Sequence, residues 1–156
     1  AGPAVVDALT RRGARMSAAG QAMHALRPET FLAFDVGHKR TGVAYASRFL
    51  GRAEPQGTIQ AEGDRRWPLV AKHIQTWQPE ALVVGVPFHP DGAAHENTRF
   101  ARRFARELRQ RFALPVFEVD ERYSTTEALS QGAKDADAAS ACIILEQFLR
   151  EAPAHP

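Results

Sequence analysis

Apolar and polar positions divide the chain into short strand-like runs followed by stretches of helical period. Phe31 to Val36 is an apolar run of strand length closed by Gly37, and Thr41 to Ser47 is a second candidate strand. The link His38-Lys39-Arg40 is short and polar, so the two runs are expected to pair as a hairpin. A third strand is placed within Arg52 to Ile59, after the turn at Gly51, which makes the opening an antiparallel meander.

The period then changes. Trp67, Val70, Ile74 and Trp77 recur at spacings of three and four, which predicts a helix over Arg65 to Trp77, ended by Pro79. Ala81 to Val86 is a further apolar strand, and Pro87-Phe88-His89-Pro90-Asp91-Gly92 has the chemistry of a turn. Glu96 to Phe112 reads as a long helix and Leu114 to Val119 as a fifth strand. Ser124, with Glu127 three residues on, forms a capping box that opens a short helix. Asp135 or Asp137 opens a last helix that runs to about Arg150. The order β-β-β-α-β-α-β-α predicts an α/β domain, antiparallel in its first half and parallel, with covering helices, in its second.

Composition narrows the setting. The 156 residues suit one domain, and a 44% hydrophobic share suffices for a core. No apolar run is long enough to span a membrane. The single cysteine, Cys142, excludes an internal disulfide and Cys-rich zinc ligation; it implies a reducing, cytoplasmic setting and, within Ala141 to Leu145, a packing role. Residues 1–30 lack a sustained apolar period and are read as a flexible extension before a domain at 31–150, with a loose tail at 151–156. Net charge is only +2, compatible with a nucleic-acid partner without indicating one.

Carboxylates at element ends are the candidate chemistry. Asp35 ends the first strand on the side of Phe31 and Ala33, where a buried acid needs a partner such as a metal ion or a helix N-terminus; a plain turn aspartate is the alternative. Asp120 and Glu121 follow the fifth strand, and strand ends of an open α/β sheet commonly bind ligands. Capping the next helix falls better to Ser124. On the last helix Asp137 lies four residues before Ala141 and seven before Ile144, on the core-facing side, whereas Asp135 lies about 200° around and suits a cap. Two or three carboxylates from separate elements suit Mg²⁺ or Mn²⁺ and phosphodiester hydrolysis by water.

These residues sit in motifs that resemble the YqgF/RuvX family. Asp35-Val-Gly-His-Lys-Arg-Thr-Gly-Val-Ala44 is similar to its opening motif and Val84-Gly-Val-Pro-Phe-His-Pro-Asp-Gly92 to its second. Asp120-Glu-Arg-Tyr-Ser-Thr-Thr-Glu-Ala128 is similar to the third, and Asp137-Ala-Ala-Ser-Ala-Cys-Ile-Ile-Leu145 to the last. The resemblance runs from Phe31 to Arg150. It implies an RNase H-like fold, a five-stranded mixed sheet with helices on both faces. It also implies a bacterial cytoplasmic nuclease that processes the 5′ end of precursor 16S ribosomal RNA, with a likeness to Holliday-junction resolvases. Carried over by position, Asp35, Glu121 and Asp137 are the acidic and metal-binding residues, with Asp120 as the reserve for the second. The second motif departs from the family at Phe88-His89-Pro90, where a Leu-Asn-Met-like centre is usual, and this puts that loop's substrate contacts in question.

Cations near the acids are the candidate substrate contacts. Lys39 and Arg40 lie in the first hairpin beside Asp35, and Arg122 follows Glu121. Arg99, Arg102, Arg103, Arg106 and Arg109 make one basic face on the long helix, readable as a phosphate-binding face or a solvated one. RNA is the first expected partner. Branched DNA, cut by a two-fold dimer, is the second, so monomer and homodimer both stay open. A non-catalytic nucleic-acid binder is a third reading, set against the three acids. A nucleotide enzyme of the actin and sugar-kinase type needs a second domain that 156 residues do not provide.

Overall fold

The computed structural model describes residues 27–87, 96–121 and 135–151. Its strands are β1 (Thr30–Val36), β2 (Arg40–Ser47), β3 (Ala53–Gln60), β4 (Ala81–Pro87) and β5 (Val116–Glu121). Its helices are α1 (Trp67–Trp77), α2 (Glu96–Phe112) and α3 (Ala136–Glu151), with a 3₁₀ turn at Gly63–Arg66 before α1. The strands form one sheet in the order β3-β2-β1-β4-β5. The pairs β1–β2 and β2–β3 are antiparallel; β1–β4 and β4–β5 are parallel. The meander and the parallel half are therefore as the period of the chain predicts.

Strand alternation assigns each face its own core. Leu32, Phe34, Val43, Leu82 and Val84 point to one side, where Trp67 and Val70 of α1 and Phe104 and Leu108 of α2 cover them. Phe31, Ala33, Ala44, Ala46, Val83, Phe117 and Val119 point to the other side, under Ala141, Ile144, Leu145 and Phe148 of α3. The apolar stripe expected on the last helix is thus the one that packs. Aromatic contacts knit each layer: Trp67 stacks on Phe104 with centroids 5.0 Å apart, and Phe148 meets Phe31 edge-on at 5.2 Å.

The boundaries differ from expectation where backbone chemistry intervenes. The helix predicted from Arg65 begins instead at Trp67, because Pro68 suits a first helical turn and the residues before it wind as 3₁₀. Strand β5 begins at Val116 rather than Leu114: α2 ends through Ala113 in the left-handed region, and Pro115 has no N–H to donate. At the other end, the Arg48 side chain donates to the Pro28 carbonyl at 3.1 Å and the Arg48 N–H to the Glu29 carbonyl at 2.7 Å, so residues just ahead of β1 are tied to the fold. Residues 1–26 of the extension expected at 1–30, 88–92 of the expected turn, the helix expected at Ser124 and 152–156 of the expected tail lie outside the described residues.

One stripe of small side chains fixes where α3 sits. Gly42, Ala44 and Ala46 alternate along β2 with the larger Val43 and Tyr45, and the small ones face α3. The helix can then lie close to the sheet, opposite Ala138 and Ala141. The β2–β3 ladder shifts register between Gly42 and Ala44, an irregularity beside the carboxylates of the sort that often re-aims residues near a site.

Candidate active site

Asp35 is the sixth residue of β1, directly opposite Gly42 on β2. Its parity with Phe31 and Ala33 puts it on the α3 side of the sheet, at the half-buried margin of the core. Gly42 is the point of closest approach between strand and helix. A Cβ there would collide with the carbonyl of Asp137 and the nitrogen of Ala138. The glycine thus brings the first turn of α3, with Asp137 in it, down beside the residue facing Asp35. The other glycine of the opening motif, Gly37, serves the turn: its N–H donates to the Arg40 carbonyl at 2.8 Å, and a Cβ would stand 2.7 Å from that oxygen.

The helix start is set by Asp135. Its Oδ1 accepts from the Ala138 N–H at 3.0 Å, the N-cap bond expected from the helical phase. The same oxygen accepts from the Thr58 hydroxyl of β3 at 2.6 Å, which ties the cap to the sheet. Asp137 is not wholly core-facing as its phase predicts. It keeps about 30% of its side chain exposed, and its Oδ2 lies 3.2 Å from the Nε of Arg40.

At the end of β5, Asp120 shares parity with Val116 and Glu118 rather than with Phe117 and Val119, the residues under α3. Asp120 is exposed. Among the described residues, no three His, Cys, Asp or Glu side chains gather as a metal-holding group. The Glu121 side chain is outside that description. The pair Asp35 and Asp137 does fit a hard divalent ion in its chemistry: both are carboxylates, they come from separate elements, and the lack of a side chain at Gly42, the partner of Asp35, lets the Asp137 main chain approach β2. Asp137 already lies against a cation, Arg40.

The candidate cations fare differently from one another. Lys39 and Arg40 are exposed on the hairpin, with Arg40 against Asp137. Arg122 lies outside the described residues. The basic face of α2 is partly spent on structure: Arg109 lies 3.4 Å and Arg102 3.8 Å from Glu118 of β5, and Arg109 also donates to the Val116 carbonyl at 2.9 Å. His38 stacks on Phe100 of α2 at 4.2 Å, so its ring is engaged from the face opposite α3.

The sequence reading missed Arg66. This arginine is buried, only 3% exposed. Its guanidinium donates to the Gly37 carbonyl at 3.1 Å, the His38 carbonyl at 3.3 Å and the Thr41 hydroxyl at 3.3 Å. Its Nε donates to the Gly63 carbonyl at 3.2 Å. Burial lowers its pKa from the ordinary guanidinium value, against the opposing pull of Glu107, Asp64 and Glu62. A signal was present: Arg66 stands four residues before Val70, on the apolar stripe of α1, where a charge needs a reason.

A profile of the RuvX family, described as Holliday junction resolvase, matches residues 29–151. The chain is 70% identical over 122 residues to a protein of Albidiferax ferrireducens named "Putative pre-16S rRNA nuclease", covering 78% of each. A Polaromonas protein of the same name is 66% identical over 125 residues, covering 80% of this chain and 91% of that one. Among solved structures, T. thermophilus RuvC in complex with a Holliday junction substrate superposes with a TM-score of 0.51 at 14% identity, over 80% of this chain and 96% of that chain. Such a likeness speaks to the fold, and it agrees with the RNase H-like sheet expected from the four motifs.

Proposed function

This chain belongs to the RuvX family and is a phosphodiester-hydrolysing enzyme, and we propose that it cuts precursor 16S ribosomal RNA at a site built on Asp35, Asp137 and Glu121. The observation that carries the site is the approach at Gly42, which brings the α3 first turn beside the strand position facing Asp35. The substrate rests on the name of the 70% identical relative. Asp35, Asp137 and Glu121 would hold Mg²⁺ or Mn²⁺. When bound, such an ion supplies the positive charge that activates water and offsets charge on the leaving oxygen. Asp35 contributes a carboxylate fixed by a central strand, and Asp137 one fixed by a capped helix. Lys39, Arg40 and Arg122 would contact phosphates and orient the scissile bond. Arg40 can do so while holding Asp137, since its side chain is about 65% exposed. No helix among the described residues is long and apolar enough to cross a membrane, and the lone thiol of Cys142 supports a cytoplasmic place.

Cleavage of a precursor 16S transcript by the purified protein with Mg²⁺ or Mn²⁺ tests the substrate, with an immobile four-way DNA junction in parallel. Preferential cutting of the transcript is expected. Cutting of the junction alone would instead support the second reading, a junction endonuclease, the activity in the family's description, which would act as a two-fold dimer.

A further inference from the structure

We propose that the trough beside the carboxylates is the track by which a single RNA strand reaches the site, with Arg65 as a phosphate contact and Arg66 as the residue that positions its walls. This rests on the nuclease reading above. The trough is open, about 760 Å³, and runs between Lys39–Arg40 on one wall and Gln60–Gly63 with Arg65 on the other. Arg40, one of its lining residues, links it to the acids, since its Nε lies 3.2 Å from Asp137. Among the described residues Lys39, Arg40 and Arg65 face it against one acid, Glu62, so its field favours an anion. Among the described residues no aromatic side chain lines it, which suits contact with the phosphate backbone rather than base stacking.

Arg66 makes the trough a built feature. One guanidinium bonds to both walls: to Gly37, His38 and Thr41 on the hairpin side and to Gly63 on the side of Arg65. Its planar fork reaches these acceptors at once, a geometry a lysine ammonium does not reproduce. The rings of Phe100 and Phe104, 5.1 and 5.7 Å from its Cζ, close it off from beneath. The hairpin that carries Lys39 and Arg40 is therefore fixed relative to Arg65 before any substrate arrives. The arginines of α2 are a poorer track, since Arg102 and Arg109 are engaged by Glu118.

The test is binding of a labelled single-stranded RNA, and separately of a four-way DNA junction, across a KCl series. Asp35→Asn protein is used so that no substrate is cut. Adding Arg65→Ala should weaken RNA binding several-fold and lower the slope of log Kd against log salt by about one. Adding Arg52→Ala, which removes the same charge from an exposed turn at the far end of β2, should change neither. Arg66→Lys, in the wild-type background, should raise KM for RNA more than it lowers kcat while the protein stays folded by circular dichroism. Arg65→Ala binding RNA as its parent does, or Arg52→Ala losing as much, would overturn the track; so would a loss confined to the junction. If the wild type cuts RNA while Arg65→Ala binds unchanged, only the track falls. If the parent binds no RNA and the wild type cuts none, both readings fall.

Discussion

Gly42 stands where two backbones meet. The close approach of strand and helix leaves room for a hydrogen atom and none for a methyl group, since a Cβ would meet main-chain atoms of Asp137 and Ala138 that cannot rotate away. Gly42→Ala should therefore lift the first turn of α3 and destabilise the fold by about 1–3 kcal/mol, the usual range for overpacking, measurable by urea unfolding. Activity should fall further than stability does, because the displaced turn carries Asp137. At Cys142, burial raises the thiol pKa, aided by the charges of Glu146 and Glu54, from 9.0 to about 12. The folded state then holds the proton more tightly than the unfolded chain. Its contribution to stability is complete below pH 9 and is lost as pH rises toward 12. At pH 8 the native thiol should react with iodoacetamide far more slowly than in urea; equal rates would contradict its burial. Asp135 and Asp137 were separable in the sequence because a 100° rotation per residue sends them to different sides. Arg66 was legible only as an anomaly on an apolar stripe, since its acceptors are main-chain carbonyls of a distant hairpin that no side-chain pattern announces.

At the scale of elements, the N-terminus of α3 is held by a shared oxygen. Thr58 of β3 donates to the same Asp135 carboxylate that caps the helix. Thr58→Val keeps the shape and removes the donor, so it should cost about 1 kcal/mol, the typical worth of one net hydrogen bond. Thr58→Ser should restore it. Asp135→Ala removes the cap as well and should cost about 0.5–2 kcal/mol, with reduced cleavage because Asp137 lies in the turn that loosens. Most elements were readable from period and punctuation, and Glu96–Phe112 is the helix that the spacing of Phe104 and Leu108 predicts. The 3₁₀ turn was not, because its residues Gly63–Arg66 carry no apolar period and its geometry follows from Pro68 and the bonds of Arg66. The basic face of α2 could equally be a binding face or a structural one by spacing; only the pairing with Glu118, distant in sequence from Arg102 and adjacent in space, shows how much of it is engaged.

Across the whole molecule, the sheet divides the labour between its faces. One face, under α1 and α2, holds the larger core; the other, under α3, holds a smaller core that opens at one end onto Asp35 and Asp137. Leu108 is fully buried in the first core, so Leu108→Ala should cost about 2–5 kcal/mol of stability while leaving the carboxylates in place. The central claim is that Asp35 and Asp137 bind a divalent ion that cleavage requires. The most direct measurement is Mn²⁺ binding by titration calorimetry, paired with cleavage of the precursor transcript, in the wild type and in Asp35→Asn and Asp137→Asn. The account predicts that both variants stay folded, bind Mn²⁺ far more weakly and lose at least about a hundredfold in rate, the scale of losing a principal electrostatic contributor. Wild-type Mn²⁺ affinity and wild-type cleavage in both variants would contradict it.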